Sequence, residues 1–362
     1  MRSFIVSAAL LAAAASAAPA PASSYGGGQQ PFKFPLANGF PNIKAPSNTL
    51  TNIETQAHGT LPNGALPTKL SANSIATFSV IAANELFEVA YFTSLIKNIT
   101  HGVQGYEVPA SDKDYILKSL TAIRAQEELH AIGANAILAS AGGKPIAPCE
   151  YVFPVDNFQA AISLAYTFTD VVLGTLQDVQ AGLIANGDGE LVPLIGSIIG
   201  QEGEQNGAFR AFDEKIPSEL PFLTRSAGAF AFSAINQIFI VPGSCPQSLL
   251  SSIPVFGALA VDTMNIQPKD QTLTFSFENT KGVKVKDLSL VYINQQNTPI
   301  VEKICNVKTK GKMVTFDATF PYSANLMNGL TIAAVTNSAG PFADADAVAK
   351  DTLFGPGIIE IN

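Results

Sequence analysis

Apolar residues recur along the first two thirds of the chain at alternating steps of three and four. Over 111–141 the stripe runs Ile116, Leu120, Ile123, Glu127, His130, Ala134, Ile137. This is the spacing of one helix face turned towards a partner helix. Three more stripes obey it: Phe78, Ile81, Glu85, Glu88, Phe92, Leu95 over 74–97; Ile162, Ala165, Thr169, Val172, Leu176, Val179, Leu183 over 158–186; and Leu191, Ile195, Ile198, Glu202, Gln205, Phe209, Phe212 up to residue 212. A fifth apolar helix is predicted over 226–240. After Cys245-Pro246 the period changes to two. Leu273, Phe275 and Phe277 alternate with Thr274 and Ser276, and Val314, Phe316, Ala318 and Phe320 with Thr315, Asp317 and Thr319. Further strands are predicted at 288–294, 300–307 and 330–335. Short strands separated by turn residues suggest a small β-sandwich.

The pattern therefore predicts a mainly α N-terminal four-helix bundle with a fifth helix over 51–245, followed by a small C-terminal β-sandwich over 246–362. The link before the third helix, punctuated by Pro145, Pro148 and Pro154, can run the length of a bundle, so the second and third helices can lie parallel. A chain of 362 residues suits two domains plus a tail.

The N-terminus adds a compartment. Arg2, the apolar run 4–15 and Ala15-Ser16-Ala17 have the layout of a secretory signal peptide over 1–17. The apolar run is too short to span a membrane. Residues 18–50, rich in Pro, Gly, Ala, Ser and Asn, are expected to form a disordered or loosely attached arm. Secretion makes Asn98-Ile99-Thr100 a glycosylation acceptor just past the first helix. It also favours one disulfide among Cys149, Cys245 and Cys305. Cys149 and Cys245 both lie in proline-punctuated loops and are the favoured pair. Cys305, in a strand-like run, is expected to be a buried free thiol, with intermolecular pairing as the alternative.

Composition then removes classes of partner. The formal net charge is −8 and charged residues make up 14%, with no cluster of Lys and Arg. This argues against nucleic acid and against anionic membrane surfaces.

What remains is the set of polar residues on apolar seams: Glu85 and Glu88 on the first helix, Glu127 and His130 on the second, Thr169 on the third, Glu202 and Gln205 on the fourth. Carboxylates and an imidazole on a buried face cost several kcal/mol unless something pairs with them. In di-metal carboxylate bundles two helices each give one Glu and two each give Glu-x-x-His. The first two helices fit that rule. The fourth has Gln205 where the second His would stand. The third has Thr169 in place of Glu, with Asp170 beside it but about 100° round the helix.

On these motifs the chain resembles the ferritin-like superfamily, and more narrowly the secreted fungal ferritin-like proteins named for late sexual development and stress response. The resemblance rests on Asn84-Glu85-Leu86-Phe87-Glu88 with Tyr91-Phe92, on Glu127-Glu128-Leu129-His130, and on Gln201-Glu202-Gly203-Glu204-Gln205. It implies that Glu85 is a terminal carboxylate, Glu127 and Glu202 are bridging carboxylates and His130 is an imidazole ligand, with Glu88 and Asp170 as further candidates. Gln205 and Thr169 make the di-metal site degenerate, which argues against a working di-iron oxidase. Two readings stay open. Either the seam polars form a hydrogen-bonded network in which Gln205 and Thr169 donate to Glu202 and Glu85, or a single Fe, Mn or Zn ion binds the remaining ligands. With such an ion, oxidative chemistry or metal storage could follow. A third reading places the activity in the β-domain, as a cell-wall or carbohydrate-binding module, and the partners expected are a cell-wall component or a second copy of the chain.

Overall fold

A computed structural model describes residues 30–246, 253–280 and 282–361. The proposed signal segment 1–17 and the arm up to residue 29 lie outside them.

The four long stripes form four long helices, α2 (Ala72–Thr100), α3 (Lys113–Ser140), α4 (Phe158–Ala185) and α5 (Val192–Phe212), preceded by α1 (Asn48–Ala57) and followed by α6 (Gly228–Ile238). Local chemistry sets several starts. The Ser71 and Asn157 side chains accept hydrogen bonds from the backbone N–H of Ser74 and Ala160, capping α2 and α4. Asp112 precedes α3 without a capping bond. α2 packs chiefly on α3, and α4 on α5. α2 is long and apolar enough to cross a membrane, but 78% of its most apolar window is buried inside the protein.

Chain segments far apart in sequence lock this bundle. Phe32, Tyr151 and Ile240 join in consecutive antiparallel bridges. A disulfide links Cys149 to Cys245 beside them, closing a separation of 96 residues. Phe87 on α2 lies under these segments, with ring contacts to Tyr151, Phe153, Phe168 and Phe239.

The arm expected to be disordered through residue 50 differs from residue 30 onward. Phe34 packs against Phe40 and Tyr151, and Phe40 is fully buried. α1, capped by Ser47, sets Leu50, Ile53 and Ala57 against Ala125 and Leu129 of α3. The prolines and glycines here hide the anchors, because an irregular segment buries aromatic residues without a period. α2 also runs one turn beyond the predicted end, so Asn98 sits in its last turn, half-buried, rather than past it.

The C-terminal part is a sandwich of two antiparallel four-stranded sheets. One has the order β1 (Ala260–Val261), β2 (Gln271–Glu278), β6 (Met313–Phe320), β5 (Cys305–Lys310). The other has β4 (Ile300–Lys303), β3 (Ser289–Asn294), β7 (Gly329–Thr336), β8 (Thr352–Ile361). The strand expected over 300–307 is two strands in different sheets, divided at Ile304. β5 is an exposed edge strand, so Cys305 is an exposed free thiol and not a buried one. β8 was hidden by Gly355-Pro356-Gly357, where its register against β7 shifts. Proline is tolerated at such an irregularity because no ladder donor is needed there.

β7 is buried along its whole length. One face fills the sandwich with Ala333 and Val335, and the other sets Ile332 and Ala334 against Val171 of α4 and Phe230 of α6. The two halves of the chain therefore share an apolar junction. At that junction Gly174 of α4 comes close to the backbone of the segment after α5: a Cβ there would collide with the Thr224 carbonyl oxygen and lie 2.9 Å from the Ser226 nitrogen. Alanine would gain about 1 kcal/mol of helix propensity. Backbone cannot yield as a flexible side chain can, so Gly174→Ala is expected to destabilise by a net ~1–3 kcal/mol in urea unfolding.

Candidate metal centre in the helical bundle

Glu85 and Glu88 come from α2, Glu127 and His130 from α3, and Glu202 and Gln205 from α5. The five carboxylates and amides are all buried, and the His130 side chain is 15% exposed. The i, i+3 spacing puts Glu127 and His130 on one face, where His130 Nδ1 lies 2.9 Å from Glu127 Oε2. The same nitrogen is 3.4 Å from Glu85 Oε2 and 3.6 Å from Glu202 Oε1. One ligand atom from each of the four residues lies within 4.8 Å of every other.

Beyond these approaches of His130, no hydrogen bond among the described residues reaches Glu85 Oε2 or either oxygen of Glu202. The electrostatics follow from burial and crowding. Burial pushes the Glu85 carboxyl from its ordinary 4.5 up to about 7, against the attraction of His130. Burial, reinforced by neighbouring carboxylates, pushes Glu88 and Glu202 well above the usual carboxylate range. Burial also opposes the charged forms of Glu127 and His130, but their mutual attraction wins. Glu127 is held below its ordinary value, and His130 well above the imidazole range by Glu127 and Glu85.

The residues at the degenerate positions behave differently from the expected network. Gln205 Nε2 donates to Glu127 Oε1 at 2.5 Å, not to Glu202. Thr169 is buried with its hydroxyl unpartnered, so it does not serve Glu85. Glu88 is wholly buried and accepts from Asn84 Nδ2 at 2.8 Å. Its carboxylate is outside the four-residue cluster. Asp170 leaves the seam altogether and groups with Glu219 and Glu360, because one residue along a helix turns the side chain about 100°. Glu128 also faces away from the seam, yet it is buried beneath the arm, accepting from Asn38 Nδ2 at 3.1 Å.

Sequence reasoning missed two supports. Asn84 stands one turn before Glu88, a spacing at which an amide meets a carboxylate, so that pair was readable. Gln126 accepts from Gln201 at 2.9 Å and from Gln205 at 3.4 Å, bracing α3 against α5. No local pattern signals it.

Four long helices carry these groups in the order Glu, Glu-x-x-His, Thr, Glu-x-x-Gln, and a family model described as ferritin-like domain matches residues 73–214. Those residues are a ferritin-like domain. No curated protein matches the chain. The match begins at the start of α2 and ends just after α5, so α1, α6 and the β-sandwich lie outside it.

Ferritin-like domains of the di-metal type carry two metals, and the donor set here can be tested against that. Donors about 2.1 Å from a metal stand about 3.0–3.4 Å apart in octahedral or tetrahedral shells. The separations of 2.9, 3.4 and 3.6 Å around His130 Nδ1 match that scale. The second position does not fit. Its imidazole is replaced by an amide already bonded to Glu127, and its carboxylate by Thr169. The remaining histidines, His58 and His101, cap the ends of α1 and α2 and are not in the cluster. Among the described residues the bundle seam thus groups donors for one ion and not for two.

Proposed function

We propose that this protein is a secreted ferritin-like protein with a degenerate centre that binds a single divalent metal ion through Glu85, Glu127, Glu202 and His130, and that it is not a di-metal oxidase. The observation that carries this is the convergence of three carboxylates on His130 Nδ1 at ligand-to-ligand distances, with Gln205 bonded across the second position. One imidazole with carboxylates suits Fe, Mn or Zn. In such a centre two of the three carboxylates balance the ion's charge and the third leaves one negative charge, while Gln205 holds Glu127 in place. Secretion is supported by the signal-like N-terminus and by the Cys149–Cys245 disulfide, which belongs in an oxidising compartment. In that compartment Asn98 is the proposed glycan acceptor.

Zinc alone, loaded onto chelator-treated protein and counted by elemental analysis, tests the reading. About one equivalent is expected, and His130→Ala is expected to weaken binding by at least ~10²-fold, since it removes a ligand outright. Two equivalents in the bundle would overturn the single-ion reading. Less than about a tenth of an equivalent, or zinc retained unchanged by His130→Ala, would remove the metal reading.

A further inference from the structure

A second acidic group, Asp170 buried and Glu219 and Glu360 half-buried, lies where the bundle meets the β-sandwich. Asp170 of α4, Glu219 of the segment after α5, and Glu360 of β8 each offer a carboxylate oxygen within 4.8 Å of the others. It lies on the opposite faces of the helices that build the bundle centre. On α4, Thr169 points into the seam and Asp170 away from it. On α5, Gln205 serves the bundle, while Asn206 and Arg210 turn to the sandwich.

Acidic residues together are not a site, but three observations here go further. Five carboxylate oxygens, Asp170 Oδ2 and both oxygens of Glu219 and of Glu360, are buried with no donor among the other described residues, and Glu219 lies against both Asp170 and Glu360. Asn206, a neutral side chain only 4% exposed, donates through Nδ2 to Asp170 Oδ1 at 2.7 Å, and its own buried Oδ1 is also unpartnered. A buried amide oxygen without a donor, on a side chain already bonded to one of the three carboxylates, is a further oxygen that a cation can take. Third, the backbone opens to let Glu219 in. Gly329, with a φ of +65°, stands where any Cβ would collide with Glu219 Oε1 and Leu220.

Charge points the same way. Arg210 Nη1 is 4.0 Å from Glu219 Oε1. Lys215 is paired with Asp213 at 2.8 Å. Burial pushes Asp170 and Glu360 well above the usual carboxylate range, so without a counter-ion the group holds protons that a divalent cation would displace. The ligands are all oxygens, with neither histidine nor cysteine in the group. Oxygen sets favour hard cations of the Ca²⁺ or Mg²⁺ class over Zn or Fe. Ca–O bonds of about 2.3–2.6 Å put opposite ligands at most about 5 Å apart, so carboxylate oxygens as close together as these can share one ion.

We infer that Asp170, Glu219 and Glu360, with the Asn206 carbonyl, form a second cation site, selective for a hard divalent ion such as Ca²⁺, which ties the β-sandwich to the bundle. The ion would bridge α4, α5, the segment after α5 and β8, adding to the Asn206–Asp170 hydrogen bond, the Arg210 contact and the apolar packing there.

The test uses the full chain, freed of metal with chelator and reloaded with zinc at the bundle centre, then titrated with Ca²⁺ alone by calorimetry. About one equivalent of Ca²⁺ is expected, and the thermal midpoint is expected to rise by about 5 °C at a hundredfold excess over Kd. His130→Ala should bind Ca²⁺ as wild type does, which separates this site from the bundle centre. Glu360→Gln and, independently, Glu219→Gln should each lose at least tenfold in affinity and most of the thermal shift. If one variant does not fold, as judged by far-UV circular dichroism, the other decides. The inference is overturned if wild type takes up no Ca²⁺ or Mg²⁺, the group then being balanced by protons. It is equally overturned if the Gln variants bind as wild type does, or if His130→Ala abolishes binding.

Discussion

Stripped of metal, the protein is expected to lose on the order of 2–3 kcal/mol of stability between pH 5 and pH 8 through Glu85 alone. Folded Glu85 keeps its proton up to about pH 7, because burial disfavours the carboxylate, whereas the unfolded group releases it near 4.5. The folded state therefore binds more protons in this window, and stability falls as pH rises through it. Glu88 and Glu202, also raised by burial, act in the same direction above 4.5. His130 adds to it above 6.5, where only the folded protein holds the imidazole proton. Glu127 is ionised in both states over this range and leaves the slope unchanged. Urea unfolding at the two pH values checks this, with Glu85→Gln expected to flatten the profile by the amount assigned to Glu85. Metal competes with the same protons. Zinc should therefore stabilise strongly at pH 8 and little at pH 5. A flat profile for the chelated wild type would show that the carboxylates are not held protonated by burial.

Cys149→Ser, made in a Cys305→Ser background so that the exposed thiol cannot exchange, is expected to cost roughly 4 kcal/mol. The Cys149–Cys245 bond closes 96 residues containing the whole of α4 and α5, and chain-entropy arguments give about 4.7 kcal/mol for a loop near 100 residues. The bond also holds the strap whose bridges run from Phe32 through Tyr151 to Ile240, and that strap covers Phe87. Loss of the cross-link should lower the urea midpoint and expose aromatic surface, read as increased binding of a hydrophobic dye. A loss below about 1 kcal/mol would mean that the strap is held by packing alone.

The helices were legible because their apolar period is local. Boundaries for α3 and α4 fell within two residues of the expected ones, and Glu127 and His130 meet because three residues make about one turn. The alternating strands β2 and β6 were legible for the same reason. Irregular segments were not. The stretch from Phe32 to Phe40 buries its aromatics through contacts with Tyr151 and Phe153, which no window of sequence contains. β8 carries Gly-Pro-Gly at a register shift, so its strand character depends on β7 beside it.

The sequence alone determined which faces are apolar, which carry carboxylates, and that only one of the chain's histidines stands on a seam, since these depend on residue identity and helical repeat. Tertiary structure decided the partners. It bonded Gln205 to Glu127 rather than Glu202, left the Thr169 hydroxyl without a hydrogen bond among the described residues, and drew Asp170 out of the seam to Glu219 and Glu360. A helix fixes the direction of each side chain relative to its own axis. What that side chain meets depends on how far neighbouring helices are rotated and on segments that arrive from elsewhere in the chain.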